Sequence, residues 1–305
     1  MQERPNITHV LMDYEVPSDV GPYVCTLSVP GRSGETLNEI GVIDGVLAAT
    51  QKPVVAINAV GPPGVGKSML FRKYAEIHRL PTVHVQGRSG TIPEDLLGRW
   101  ILRKDATEIV LGPLATAVEL ANRHGSSCLL VDEINLFPPT VHPVFLSLLD
   151  YGKARTLDGT VYRLRPGAQL FAFFTMNRDL IATQQLQEAF NERLVVLVMG
   201  YPSVEKETEI LRAVTGFATP TCRQFARVAE GLRNLYFKEH AFRTPPGTRE
   251  VVSWAFLSRS LGVRTAFDLV IRNGLNLSTK HAEVVEKLLE AVGLDDGAVP
   301  PLGSS

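Results

Sequence analysis

The stretch Gly61-Pro62-Pro63-Gly64-Val65-Gly66-Lys67-Ser68 decides the fold. Its spacing, a glycine followed after four residues by Gly-Lys-Ser, is that of a phosphate-binding loop. It follows an apolar run over 54–60 and precedes a helical pattern over 69–78, so a strand enters the loop and a helix leaves it. The alternative is a glycine-rich strand-to-helix turn that binds nothing.

The residue types of this loop predict nucleotide binding. Its glycines allow a close backbone approach, and its amides, with the positive end of the following helix, attract phosphate. Lys67 is expected to reach the β- and γ-phosphates of ATP, and the Ser68 hydroxyl to ligate Mg²⁺. The predicted nucleotide-binding residues are Gly61, Pro62, Pro63, Gly64, Val65, Gly66, Lys67, Ser68 and Met69.

Polar residues follow two other apolar runs. The run over 128–131 is followed by Asp132 and Glu133, and the run over 170–175 leads to Asn177. After a phosphate loop, Asp132 is expected to hold the Mg²⁺ shell and Glu133 to polarise the attacking water as a general base. Asn177 could orient that water. The alternatives are an acidic helix cap and an ordinary turn asparagine.

The alternation of apolar runs and helical patterns between residues 51 and 201 predicts an α/β fold. Since these runs are apolar on both faces, they indicate parallel strands covered on both sides. We therefore expect a P-loop NTPase core of three layers, αβα, with a five-stranded parallel sheet. Two β-hairpins are predicted as insertions, at 155–164 with an Asp-Gly turn and, more weakly, at 100–111. The five runs are 54–60, 82–85, 128–131, 170–175 and 194–199.

The pattern becomes purely helical after residue 201 and predicts a C-terminal helical lid over 202–294. Residues 1–50 are interpreted as an N-terminal arm or cap whose role the sequence leaves open. Residues 295–305 are rich in Gly, Pro and Ser and are expected to fray. Apart from the amphipathic pattern over 225–236, the predicted lid helices are 204–215, 248–261, 264–275 and 279–292.

Composition excludes several classes of protein. The chain has 305 residues, and 31 Lys plus Arg against 32 Asp plus Glu leave a net charge of −1. Bulk charge therefore does not favour general nucleic-acid binding, although a local basic groove stays possible. Three widely spaced cysteines exclude a disulfide framework and suit a reducing compartment. The sequence has no apolar run of membrane-spanning length and no secretory signal, so we expect a cytoplasmic protein.

These motifs, in this order, resemble the AAA+ ATPases and in particular the MoxR branch with its CbbQ/NorQ-like and GvpN-like members. The segment Asp132-Glu133-Ile134-Asn135 and the helix over 145–150 resemble that branch, as does the hairpin around Leu157-Asp158-Gly159-Thr160. Gly112-Pro113-Leu114 resembles the resumption of a helix after an inserted hairpin. The resemblance covers roughly residues 51–275.

The resemblance implies roles for three residues. Asn177 resembles sensor 1, Arg193 falls where the family keeps its arginine finger, and Arg249 resembles sensor 2, which contacts the γ-phosphate in cis. An added arginine at the transferred phosphate can be worth 10³–10⁵ in rate. The alternatives are a helix-end charge at Arg193 and an exposed first-turn charge at Arg249. His84 and His124 are interpreted as structural.

The resemblance also implies an assembly. We expect a homo-oligomeric ring, with a hexamer as its size, that remodels a protein client. The resemblance also implies a partner with a von Willebrand factor A domain. ATP and Mg²⁺ are the expected cofactors. A nucleotide-gated scaffold with little turnover, a nucleic-acid-translocating ATPase and a kinase are the competing interpretations.

Overall fold

The computed structural model describes residues 8–31, 35–50, 52–103, 106–177, 188–242, 244–275 and 279–300. The strands are β1 Thr8–Val10, β2 Val29–Pro30, β3 Thr36–Leu37, β4 Val54–Gly61, β5 Thr82–Gln86, β6 Gly98–Arg103, β7 Ala106–Leu111, β8 Ser126–Asp132, β9 Lys153–Arg155, β10 Val161–Arg163, β11 Gln169–Asn177 and β12 Val195–Val198. The helices are α1 Glu39–Ala49, α2 Lys67–Ile77, α3 Pro93–Leu97, α4 Pro113–His124, α5 His142–Tyr151, α6 Glu188–Asn191, α7 Val204–Thr215, α8 Thr219–Glu239, α9 Thr248–Leu261, α10 Val263–Phe267, α11 Asn273–Leu275 and α12 Thr279–Val292.

Five parallel strands form the central sheet in the order β12-β4-β11-β8-β5. Helices cover both faces. Phe71 of α2 stacks on Phe173 with ring centroids 4.3 Å apart, and Phe145 of α5 meets Phe174 at 5.9 Å. Since Phe173 and Phe174 are consecutive in β11, their side chains point to opposite faces of the sheet. The predicted three-layer αβα core with a five-stranded parallel sheet is confirmed.

Strand β12 departs from the expectation that every strand is covered on both sides. It lies at an edge of the sheet, and Val195, Val196 and Val198 are 42%, 50% and 51% exposed. Valine favours strands because its branched side chain suits a pleated surface, whether or not that surface is covered. The apolar run therefore predicted the position of the strand correctly, but its prediction that the strand is covered on both sides was wrong.

Both predicted hairpins are present. Strand β6 pairs with β7 and β9 with β10, each pair antiparallel. In the second hairpin the Thr156 hydroxyl donates to Asp158 Oδ1 at 2.5 Å, and Gly159 has a φ of +85°, which favours glycine. The tip of the first hairpin, at 104 and 105, lies outside the described residues.

Of the segment 1–50, interpreted as an N-terminal arm or cap, the described parts of 8–20 and 29–50 belong to the same compact unit as the central sheet. Strand β1 pairs with β7, and Ile43 of α1 is fully buried. His9 donates from Nε2 to Asp158 Oδ2 at 2.9 Å and accepts at Nδ1 from the Tyr162 hydroxyl at 2.6 Å. The N-terminal segment thus contacts both inserted hairpins.

Contacts divide the chain into two compact units. Within the described residues, the first contains 8–20, Val29–Gly61 and Lys67–Val198, and the second contains Gly21–Ser28, Pro62–Gly66 and 199–300. N-terminal segments join each unit, and residues 295–300 belong to the second. The predicted bounds of core, lid and tail stay predictions. In the described part of the predicted tail, Asp296–Ala298 forms a 3₁₀ turn and Val299 is buried. The fraying expected over 295–305 stays a prediction.

The second unit is a helical bundle around Trp254. This side chain is fully buried, and its ring lies 4.5 Å from that of Phe225 and 5.1 Å from that of Phe267. Helices α7, α9 and α12 have the predicted bounds. The predicted helix over 264–275 is divided by a π-helical turn, Asp268–Arg272. In the described chain no helix is long and apolar enough to cross a lipid bilayer.

A buried ion pair joins three elements of the second unit. Arg233 of α8 donates to both oxygens of Glu207 of α7, at 2.7 Å each, and from Nε to the Pro246 carbonyl at 2.9 Å. Thr248, the first residue of α9, donates to Glu207 Oε1 at 3.0 Å. The side chains of Arg233 and Glu207 are 5% and 1% exposed, so both charges depend on these bonds.

We predict that Glu207→Ala destabilises the protein by about 3–5 kcal/mol, because it leaves a buried guanidinium without its carboxylate. Urea unfolding followed by tryptophan fluorescence measures the loss. Glu209→Ala is the matched control, since Glu209 pairs with Lys206 at the surface and its removal should cost less than about 1 kcal/mol. Equal losses in the two variants would contradict the assignment.

Candidate functional site

The polar residues predicted from the sequence meet at one edge of the central sheet. Strand β4 ends at Gly61, β8 at Asp132 and β11 at Asn177. Because these neighbouring strands are parallel, their carboxyl ends lie side by side, and Asn177 is directly opposite Gly61 in the register. This is the edge of an open α/β sheet at which ligands bind.

Strand register places further polar side chains beside Asp132. In β5, Gln86 is opposite Asp132 and His84 is opposite Leu130. Side chains alternate along a strand, so His84, Gln86 and Asp132 point to the same face of the sheet. Thr175 lies two residues beyond Phe173, which packs on α2, and therefore points to that same face.

Lys67 and Asn177 form the centre of the site. Lys67 donates from Nζ to Asn177 Oδ1 at 2.6 Å and to the Gly61 carbonyl at 2.9 Å, and it is only 7% exposed. Asn177 in turn donates from Nδ2 to Glu133 Oε1 at 2.8 Å. The asparagine therefore connects the lysine of the loop with the glutamate of the acidic pair.

Asp132 is held at both carboxylate oxygens. Its Oδ1 accepts from the hydroxyls of Ser68 at 2.5 Å and Thr175 at 2.8 Å. Its Oδ2 accepts from His84 Nε2 at 2.8 Å. Burial would raise the pKa of this carboxyl, but the hydrogen bonds outweigh burial and lower the pKa below the ordinary aspartate value. The carboxylate is thus kept ionised.

Glu133 has an unusual backbone conformation. Its φ of +54° and ψ of +54° lie in the left-handed region, which costs a non-glycine residue about 1–3 kcal/mol. Its amide donates to Thr175 Oγ1 at 3.0 Å, and its Oε2 accepts from Gln86 Nε2 at 3.1 Å. These bonds, with that from Asn177, hold the side chain at the edge of the sheet.

Gly87 allows the acidic pair to approach β5. Its amide donates to the Asp132 carbonyl at 2.7 Å. A β-carbon at this position would lie 2.1 Å from the Glu133 carbonyl oxygen, a distance at which backbone must shift. Glycine is therefore required here by the close approach of two backbones.

Arg193 is paired within its own chain. It follows α6 and donates from Nε to Asp150 Oδ1 at 2.7 Å and from a terminal nitrogen to Asp150 Oδ2 at 2.9 Å; it also donates to the Ala189 carbonyl. This hydrogen-bonded pairing lowers the pKa of Asp150. Among the described residues, Arg193 therefore bonds to Asp150 and Ala189 and makes no hydrogen bond to Lys67, Asp132 or Glu133.

Arg249 lies next to the loop in the second unit. Its amide donates to the Gly64 carbonyl at 3.3 Å, and its β-carbon lies 3.5 Å from the position that a β-carbon on Gly64 would take. Gly64 has a φ of +75° and Gly66 one of +94°, conformations that explain the glycines of the motif. The structure thus brings Arg249 and Gly64 together.

The donor set at Ser68 and Asp132 fits Mg²⁺. A hydroxyl and an ionised carboxylate are the hard oxygen ligands that Mg²⁺ takes, with water and phosphate oxygens completing the shell. Among the residues that the structure describes, no group of three or more His, Cys, Asp or Glu could form a metal cage. A site completed by phosphate is the arrangement typical of this ion in nucleotide-binding proteins.

Sequence reasoning missed several residues of this site. His84, interpreted as structural, contacts Asp132, while Gln86 and Thr175 contact Glu133. Alternation along β5 could have placed His84 and Gln86 on one face, but only the register of β5 against β8 brings them to the acids. For Gly87, the available signal was its place in a Gln-Gly pair directly after an apolar run, where a glycine can allow a close backbone approach.

Comparison with known proteins gives two family matches. Residues 59–194 match the AAA domain (dynein-related subfamily), and residues 207–292 match the CbbQ/NirQ/NorQ C-terminal domain. The chain is 27% identical over 197 residues to protein CbbQ of Hydrogenophilus thermoluteolus, covering 63% of this chain and 70% of that protein. It is 26% identical over 205 residues to the denitrification regulatory protein NirQ of Pseudomonas aeruginosa, covering 66% and 74%.

We predict that Gly87→Ala destabilises the protein by about 1–3 kcal/mol, the usual cost of forcing an added group into a packed site. Urea unfolding measures the change. Gly90→Ala is the matched control in the same loop, since a β-carbon there has nothing within 4 Å. Its effect should stay within about 0.5 kcal/mol. A neutral Gly87→Ala would show that the two backbones can separate without cost.

Proposed function

We propose that this chain, a member of the MoxR-type AAA+ ATPases, binds ATP with Mg²⁺ and hydrolyses it to ADP and phosphate. One observation carries the proposal: the loop lysine, the acidic pair and Asn177 belong to one hydrogen-bonded network at the edge of the sheet. A network of a cation, a hydroxyl, two carboxylates and an amide is what phosphoryl transfer to water requires.

The phosphates would be bound by the loop and Lys67. Amides of the glycine-rich segment surround phosphate well because no side chain blocks them. Two of the acceptors of Lys67, Asn177 Oδ1 and the Gly61 carbonyl, are neutral oxygens. A charged phosphate oxygen is a stronger acceptor for an ammonium group than either of these. Lys67 is therefore poised to exchange a neutral acceptor for phosphate.

Ser68 and Asp132 would hold the magnesium ion. Bound there, the ion would neutralise charge that develops on the phosphate oxygens. The three hydrogen bonds that Asp132 accepts keep its carboxylate ionised and in one orientation. This support explains why an aspartate that is nearly buried can still serve a cation.

Glu133 would accept a proton from the attacking water, and Asn177 would help to orient that water. Both oxygens of Glu133 already accept hydrogen bonds, from the amides of Asn177 and Gln86. Each carboxylate oxygen has a second lone pair, so Glu133 can accept a hydrogen bond from water while these two bonds hold its orientation.

Arg193 is proposed to act on the nucleotide of a neighbouring subunit. Within the described chain, its hydrogen bonds are to Asp150 and the Ala189 carbonyl and not to Asp132 or Glu133, which supports a role in trans. A finger in trans makes turnover depend on a ring with head-to-tail contacts, for which a hexamer is the proposed size. Arg249, whose backbone adjoins Gly64, is proposed to contact the γ-phosphate in cis.

The work of the ring is proposed to be the remodelling of a protein client in the cytoplasm. The match to the AAA domain supports an ATPase, and a von Willebrand factor A-domain partner is proposed with it. The two inserted hairpins are the proposed contacts to the client, since Trp100 and Leu102 of β6 are 45% and 83% exposed. Isolation of this chain from the native host, with identification of the proteins bound to it, tests the proposed client and partner.

We predict that Glu133→Gln lowers ATP turnover about 100-fold or more while nucleotide binding persists, because the amide cannot accept the proton from water. Release of inorganic phosphate and binding of a fluorescent ATP analogue measure the two steps. Lys67→Ala should weaken binding itself, whereas Lys73→Ala, on the same helix and paired with Glu76, is the matched control. Slow phosphate release that Glu133→Gln leaves unchanged would support the nucleotide-gated scaffold instead.

We predict that Arg193→Ala lowers turnover by a factor on the order of 10³ without loss of nucleotide binding, because the transferred phosphate loses a cation. Arg123→Ala is the control, since that arginine pairs with Glu119 on the surface of α4. Mixing Arg193→Ala with Lys67→Ala should partly restore turnover if each site is shared between two subunits. No restoration in mixed rings would argue against a finger in trans.

A further inference from the structure

His84 adds a contact to Asp132 that no sequence motif describes. It lies in β5, an edge strand, and its side chain is 46% exposed. Its Nε2 is 2.8 Å from Asp132 Oδ2, which is the geometry of a charge-assisted hydrogen bond. A histidine that is half exposed has water available as a partner, so its bond to the carboxylate is not forced by burial.

The contact completes the support of the carboxylate. Ser68 and Thr175 both donate to Oδ1, whereas His84 donates to Oδ2. Rotation of the carboxylate about its Cβ–Cγ bond moves both oxygens, and donors on Oδ1 oppose that rotation at one oxygen only. A donor on the second oxygen restrains that plane further, because the rotation must then break hydrogen bonds at both oxygens.

We propose that His84 is a positioning residue for Mg²⁺: by holding Oδ2 of Asp132, it keeps this carboxylate in the orientation that the cation of the nucleotide complex requires. The inference rests on the proposed function, since it assumes that Asp132 and Ser68 serve a magnesium–nucleotide complex. Residues that orient metal ligands in this way typically change metal affinity 10–100-fold when removed.

A purely structural role for His84 makes a different prediction. If the bond only offsets the burial of Asp132, its loss should reduce stability and weaken nucleotide binding equally with and without Mg²⁺. If the bond orients the carboxylate, its loss should appear as a changed dependence on Mg²⁺. The dependence of nucleotide binding on Mg²⁺ therefore separates the two roles.

The experiment uses three substitutions of His84 in the full chain. His84→Ala removes the donor. His84→Gln keeps an N–H the same number of bonds from the β-carbon as Nε2, whereas His84→Asn carries its N–H one bond closer to the backbone and out of reach of Oδ2. His124→Ala is the matched control, because His124 is an exposed histidine at the end of α4 in the same unit.

Binding of a fluorescent ATP analogue is measured in excess EDTA and over a series of MgCl₂ concentrations. In EDTA we expect all variants to bind like the unmodified protein. With MgCl₂ we expect His84→Ala and His84→Asn to need about 10–100 times more Mg²⁺ for half of the gain in affinity. His84→Gln should recover most of that loss, and His124→Ala should match the unmodified protein.

Two results would overturn the proposal. One is an unchanged Mg²⁺ requirement in folded His84→Ala, and the other is an equal loss of affinity with and without Mg²⁺. If His84→Ala does not fold, His84→Gln against His84→Asn decides, and equal Mg²⁺ requirements in that pair overturn it. If the unmodified protein shows no Mg²⁺-dependent binding, the proposed function fails, a result distinct from failure at His84 alone.

Discussion

The parallel pairing of β4, β11 and β8 is the constraint on which the rest of the site depends. Each strand ends in a different chemical group, a glycine loop after Gly61, an amide at Asn177 and two acids from Asp132 onward. Parallel alignment brings these ends to one edge, where Lys67 can reach Asn177 and Asn177 can reach Glu133. An antiparallel neighbour would have placed one group at the far end of the sheet, several residues away.

Most of the fold could be predicted because its signals are local. Continuous apolar runs located the five strands, helical spacing located α7, α9 and α12, and an Asp-Gly turn located the second hairpin. Burial was less predictable, since β12 is as rich in valine as a covered strand. The position of β1 could not be derived, because it pairs with β7 about a hundred residues later and only tertiary structure decides such a pairing.

In the candidate site, too, the residues in local motifs could be predicted and those that depend on strand pairing could not. Loop and acidic residues stand in recognisable order along the chain, so Lys67, Asp132 and Asn177 were predicted. His84 and Gln86 belong to the site only through the register of β5 against β8, which no local pattern specifies. The left-handed backbone of Glu133 is likewise set by its partners, since glutamate has no intrinsic preference for it.

The position of His9 has a mechanical consequence. Strand β1 is hydrogen-bonded along one inserted hairpin, while His9 within it is fastened to the other through Asp158 and Tyr162. The short strand β1 is therefore bonded to both hairpins at once. If one hairpin moves, the other must move with it, or the bonds to β1 must break. The contacts of β1 therefore limit how independently the two hairpins can move.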